Sequence, residues 1–235
     1  LKGPYTTAGG NFFAFLPLST FTNNSALNNL DLLATSQSPS IYLPPDTHPS
    51  VLAGYTAQHA ILTRSLTSSD TASLEFIFDD SVIIPSLQQP FSRGTVHVNS
   101  TSPFAPPLID GRYLSNPLDL SVLVSGFLYA RKIRATSALQ AISALEVYPG
   151  ASVSNESQIE AFVRGGVDTE NHHAGTASML PRELGGVVDS KLRVYGVEGL
   201  RIVDASVMPM IPAAHLQDTV YAVAEMAADL ILQAD

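Results

Sequence analysis

The chain has 235 residues, 45% of them hydrophobic and only 14% charged, with a formal net charge of −9. That length suits one large domain, or one domain plus part of another, with enough apolar content for a sizeable core. The 12 Lys and Arg residues are scattered, which argues against nucleic-acid binding, because neutralising phosphates needs clustered cations. A charge content this low fits a surface rich in Ser, Thr and Asn, or one partly covered by another segment. The absence of cysteine excludes disulfides and thiolate metal sites. No uninterrupted apolar stretch reaches membrane-spanning length. Leu1-Lys2-Gly3-Pro4 is neither a signal peptide nor an initiator methionine, so the chain is expected to begin inside a longer one. Sequons at Asn23, Asn99 and Asn155 permit an extracellular, glycosylated protein.

Ala8-Gly9-Gly10-Asn11 reads as a turn, followed by the apolar run Phe12 to Leu18. Asn23 to Leu33 is expected to form a short helix, and the proline-rich Ser38 to Pro49 a loop. Val51, Leu52, Tyr55, Ala60, Ile61 and Leu66 recur at helical spacing. Leu74 to Phe78 and Gly94 to Asn99 read as strands. Asn116-Pro117 opens the clearest helix: Asn caps the start, Pro suits the first turn, and Asp119 meets the positive end of the dipole. Leu120, Leu123, Val124, Phe127, Leu128 and Ile133 follow at helical spacing. Arg131, Lys132 and Arg134 complement the dipole at its far end. A second helix starts near Ser154 or Asn155 and carries Ile159, Phe162 and Val163. Gly185-Gly186 is a break. Leu192 to Val194 and Leu200 to Val203 are strand-like, and a last helix begins at about Thr219. Strands mixed with helices imply an α+β or α/β arrangement. No internal repeat or low-complexity tract is present.

Of six histidines, three keep interesting company. His172-His173-Ala174-Gly175-Thr176 joins two imidazoles to a Gly turn, and His215 stands just before a helix N-terminus. Such a terminus offers unpaired amides and partial positive charge to an anion, and an imidazole beside it is a candidate general base near neutral pH. Spacing alone favours the bland alternative of loop histidines without a chemical role. Adjacent histidines on an extended chain point to opposite faces, which disfavours a metal site, and no Glu-flanked histidine pair supports one. A serine-hydrolase reading fails because Gly175-Thr176-Ala177-Ser178-Met179 lacks the second Gly of the nucleophile elbow.

At these residues the sequence resembles a known family. His172 to Met179 is similar to the H-x-x-G-T-x-x-M signature of glucose–methanol–choline (GMC) oxidoreductases. Gly186-Val187-Val188-Asp189, Leu192 to Val197, Gly199 to Pro209 and Ala214 to Glu225 look like the family's C-terminal blocks, in its order. Arg93-Gly94-Thr95-Val96 and Pro107 to Asp110, with Tyr113-Leu114, resemble its entry into this region. The resemblance is strong from about residue 91 to 235, and His at 215 is closest to the aryl-alcohol-oxidase-like branch.

The resemblance implies an α+β fold: a GMC-type substrate-binding portion, with a mixed sheet and flanking helices, over 1–185, and a C-terminal segment of the FAD-binding domain over 186–235. It implies FAD as cofactor, a small-molecule alcohol as substrate, and oxygen or another electron acceptor. His172 aligns with the catalytic base and His215 with the residue that hydrogen-bonds the substrate oxygen. Asp204 and Ala205 align with residues touching the phosphate–ribityl side of the flavin, and Gln217, Asp218 and Thr219 with the helix start beside its pyrimidine ring. Hydride transfer from an alcohol needs a base, an oxygen-binding donor and a group favouring negative charge on the flavin, and these positions supply all three. Asn171 stands where many relatives carry an aromatic residue, and His173 where many carry Pro. The family's N-terminal G-x-G-x-x-G turn is nowhere in the chain, so a further FAD-binding segment or chain is an expected partner, with neither nucleic acid nor membrane. Two rivals remain open: a GMC-like lyase or cyclase without net redox turnover, and a non-catalytic fragment.

Overall fold

The computed structural model describes residues 12–79 and 82–233, so the predicted turn at Ala8 to Asn11 lies outside the described residues. In chain order the elements are β1 (Phe12–Leu16), α1 (Leu18–Phe21), α2 (Asn24–Ser36), α3 (Pro49–Leu66), β2 (Leu74–Asp79), β3 (Val82–Leu87), β4 (Thr95–His97), β5 (Leu108–Asp110), α4 (Pro117–Arg134), α5 (Ser137–Ala141), α6 (Glu156–Gly166) and α7 (Leu216–Leu232). They divide into two compact units. The first holds residues up to Ser36, Thr63–Phe91 and Leu114–Asp168; the second holds Gln37–Leu62, Ser92–Tyr113 and Thr169 onward.

The helix starts follow from local chemistry. The Asn23 side chain accepts the Ala26 N–H at 2.8 Å at the head of α2. Asn116 accepts the Leu118 N–H at 3.1 Å ahead of Pro117 in α4. Asn155 and Gln158 form a reciprocal capping box on α6, which satisfies two amides that the helix itself leaves unpaired.

In the first unit, β1, β2 and β3 form an antiparallel sheet in that order, with α4 packed on β2 and β3. Leu118, Leu120, Val122 and Leu123 of α4 are buried, each contributing about 1.5–3 kcal/mol of apolar transfer. Phe21, Phe76 and Tyr129 meet at ring separations of 5.5–6.0 Å. Asp119 has a second role beyond its helix dipole: its carboxylate accepts the Phe91 N–H at 2.8 Å in a buried setting. The basic end of α4 is likewise more than a dipole complement, since Arg131 makes a salt bridge to Glu146 at 2.6 Å. The buried Glu75 carboxylate accepts the Gln88 amide at 3.2 Å.

The second unit is largely irregular. β4 and β5 pair antiparallel. Val188, Leu192, Val207 and Ala227 form one of its core clusters, with Met179, Val187, Val194, Ile202 and Val223 packed around them. The strands expected at Leu192 to Val194 and Leu200 to Val203 are corrected to isolated bridges, Arg193 to Arg201 and Val188 to Val194. Leu192, Gly196 and Gly199 adopt φ of 63°, 78° and 72°, a left-handed backbone that interrupts any extended run. On α3, a β-carbon at Gly54 would stand 2.1 Å from the Leu184 carbonyl oxygen, so only glycine permits this approach. α7 begins at Leu216, with His215 as N-cap, three residues before the expected start. Val223 and Ala227 face the core, while Tyr221 and Leu232 stay 65% and 76% exposed. No helix among the described residues is long and apolar enough to cross a membrane.

Candidate functional site

Two loops of the second unit bring the expected histidines together. The His172 and His215 ring centroids lie 5.6 Å apart, with 50° between the ring planes. His172 arrives on a turn made by its own neighbours. The Asn171 N–H donates to Thr169 Oγ1 at 2.9 Å, and Asn171 sits at φ 62°. Asparagine tolerates this left-handed backbone better than a bulky aromatic does, which gives a physical reason for Asn at this position. The turn separates the two adjacent imidazoles. His173 Nε2 meets Thr169 Oγ1 at 3.4 Å, whereas His172 lies beside His215.

Gly175, three residues on, has φ 88°, and a β-carbon there would stand 3.3 Å from the Met208 carbonyl oxygen. Beyond it the Ala177 N–H donates to the Ser206 carbonyl at 2.9 Å and the Met179 N–H to the Val207 carbonyl at 2.8 Å. These bonds lay the His172 loop along 206–209, the segment that leads to His215.

The flavin-directed residues of the sequence reading lie at exposed or half-buried positions of the same unit. Asp204 caps the short helical turn Ala205–Val207, accepting the Ser206 N–H at 2.8 Å and also the Ser206 hydroxyl. Ala205 follows it, half-buried. Gln217 and Asp218 are exposed and Thr219 half-buried in the first turn of α7. No side chain caps that helix start. A helix start carries partial positive charge, which favours a negatively charged group nearby. A helix start of this kind suits a group that gains negative charge, such as the pyrimidine side of a flavin. Among the described residues no three metal-ligating side chains cluster.

Sequence reasoning missed three residues here. Glu170 Oε2 stands 3.9 Å from His172 Nδ1; a carboxylate two positions before an imidazole was the available signal. Gln58 and Arg93 form the other contact: the Arg93 guanidinium donates to Gln58 Oε1, and the Gln58 amide donates to the Pro209 carbonyl at 3.0 Å. Arg93 stood in a family-like block without a role, and no local pattern marked Gln58 as its partner. His59 beside them is buried, and burial, then the Arg93 charge, pushes its pKa below the ordinary value of 6.5.

The sequence model of the GMC oxidoreductase family matches residues 90–224. The chain belongs to this family. It is 38% identical over 194 residues to the GMC oxidoreductase family protein Mala s 12 of Malassezia sympodialis, covering 80% of the chain and 31% of that protein. Among solved structures it is similar to a fungal aryl-alcohol oxidase, with TM-score 0.86 and 37% identity over 99% of the chain and 40% of that one. It is also similar to an FAD-dependent oxidoreductase from Chaetomium thermophilum, with TM-score 0.89 and 31% identity over 94% of the chain and 38% of that one. The chain thus spans about a third of the length of the relatives it matches. The mixed helix-and-strand architecture expected from the sequence is that of these GMC structures.

Proposed function

We propose that the protein containing this chain oxidises a primary or aromatic alcohol to an aldehyde with FAD as cofactor, and passes the electrons to oxygen or another acceptor. The observation that carries this reading is the His172–His215 pair, two imidazoles 5.6 Å apart in one unit with an uncapped helix start. FAD, when bound, supplies the hydride acceptor. His172 takes the hydroxyl proton, and Glu170 on its Nδ1 side leaves Nε2 for the substrate. His215 donates a hydrogen bond to the substrate oxygen, which becomes more negative as the proton leaves. The amides opening α7, with Gln217, Asp218 and Thr219, face the flavin ring, and Asp204 with Ala205 its ribityl side.

In this reading residues 1–185 belong to a substrate-binding domain and 186–235 return to the FAD-binding domain. A further FAD-binding segment completes the cofactor site and covers apolar surface such as Tyr221 and Leu232. An extracellular location fits the three sequons, whose Asn23, Asn99 and Asn155 side chains are all exposed; glycosidase treatment of the secreted protein should lower its mass. The test of the reaction is to screen primary aliphatic and aromatic alcohols against the full-length protein and identify the product. Aldehyde formed with one equivalent of reduced acceptor supports the reading. Product without net electron transfer would instead indicate lyase or cyclase chemistry.

A further inference from the structure

The two histidines ride on separate loops, and a reaction needs their separation held within a fraction of an ångström. One backbone group lies close to the support of both. The Pro209 carbonyl lies in the segment that leads to His215 and also backs Gly175, where a β-carbon would be 4.0 Å from its oxygen. That same oxygen accepts the Gln58 amide of α3 at 3.0 Å.

The orientation of the Gln58 amide is determined by its other partner. A guanidinium carries donors only. Arg93 Nε and Nη2 lie 3.4 and 3.2 Å from Gln58 Oε1, so that atom is the oxygen and the NH2 group faces Pro209. Arg93 is itself held: Nη1 donates to the Ser92 carbonyl at 2.9 Å, and the guanidinium carbon lies 5.1 Å from the centre of the Tyr55 ring. The neighbouring buried His59 is driven toward its neutral form, so it does not repel the guanidinium. The result is a relay from a fixed cation through an oriented amide to one carbonyl.

We propose that Gln58, oriented by Arg93, is a positioning residue that clamps the Pro209 carbonyl against Gly175 and so sets the spacing of His172 and His215. The proposal rests on the role given above to those histidines. Its test uses the full-length FAD-loaded protein and the variant Gln58→Met, which keeps the side chain's length and loses its amide.

In Gln58→Met, amide hydrogen exchange at Ala177 and Met179 should quicken by about tenfold, with Leu192 and Val194 in the same unit unchanged, because only the clamped segment opens. Anaerobic reduction of the flavin by alcohol should slow by about tenfold or more while the apparent substrate Kd moves by less than about threefold, the mark of lost alignment rather than lost binding. Arg93→Met should behave like Gln58→Met, and Arg93→Lys, which retains a cationic donor, should recover part of the rate.

Parental exchange at Ala177 and Met179 in Gln58→Met would overturn the proposal, as would quickened exchange with an unchanged reduction rate. Uniform quickening at Leu192 and Val194 as well would also overturn it, by showing general loosening. If no alcohol reduces the flavin of the parent, the reading of the reaction fails separately, and the exchange measurement alone decides whether the clamp exists.

Discussion

His172 and His215 face one another across 5.6 Å at 50°, one from the turn ending at Gly175 and the other from the residue that opens α7. His172→Ala should lower the rate of alcohol-driven flavin reduction by about 10²–10⁴-fold, the usual contribution of a general base. His215→Ala should lower it by about 10²-fold, as expected for loss of one donor to an oxygen that gains charge. His215→Asn should restore much of that loss, because the amide also donates. Single-turnover reduction of the three variants checks this ranking.

Glu170 should contribute less. Its carboxylate is 3.9 Å from His172 Nδ1, and both side chains are partly exposed, so the pair is worth at most about 1 kcal/mol. Glu170→Ala should reduce kcat by roughly fivefold or less, with KM unchanged. Loss of more than about a hundredfold would give Glu170 a direct part in the chemistry.

Gly175→Ala should damage both stability and rate. The residue has φ 88°, and the added methyl would stand 3.3 Å from the Met208 carbonyl. Left-handed backbone at a non-glycine residue costs of order 1–3 kcal/mol. Thermal unfolding should reveal that loss, and flavin reduction should slow further because the His172 loop shifts against 206–209.

The Arg131–Glu146 pair makes a pH-dependent contribution to the first unit. The Arg131 hydrogen bond, more than its charge, holds the Glu146 carboxyl below its ordinary value of 4.5. As pH falls, the unfolded chain therefore takes up this proton before the folded one does. The contribution is complete above about pH 4.5 and fades as pH drops through the lowered folded value. Glu146→Gln should cost about 1 kcal/mol at neutral pH. Thermal midpoints measured on both proteins from pH 6 down to about pH 3 should converge as the carboxyl protonates.

The parts of the fold legible in the sequence were those with local causes. Asn116-Pro117 announced α4, Asn155 announced α6, and the His172 to Met179 signature marked one side of the site. β3 was missed because Pro85 lies in its middle. The sheet order places β3 at an edge, where a missing N–H need not break a ladder. Leu192 to Val194 misled because apolar residues flanking one polar residue look like strand, while Leu192 closes a turn at positive φ in which its N–H donates to the Asp189 carbonyl at 2.8 Å. Gln58 was hidden for the opposite reason. It is a polar residue on a helix, ordinary in sequence, whose partners Arg93 and Pro209 come from distant parts of the chain.

The most direct measurement is anaerobic mixing of the full-length, FAD-loaded protein with a primary aromatic alcohol, followed by visible absorbance. The expected result is loss of the oxidised flavin bands with one equivalent of aldehyde, at a rate that collapses in His172→Ala. Flavin that stays oxidised with every primary alcohol tried, or bleaching that is as fast in His172→Ala as in the parent, would contradict the account.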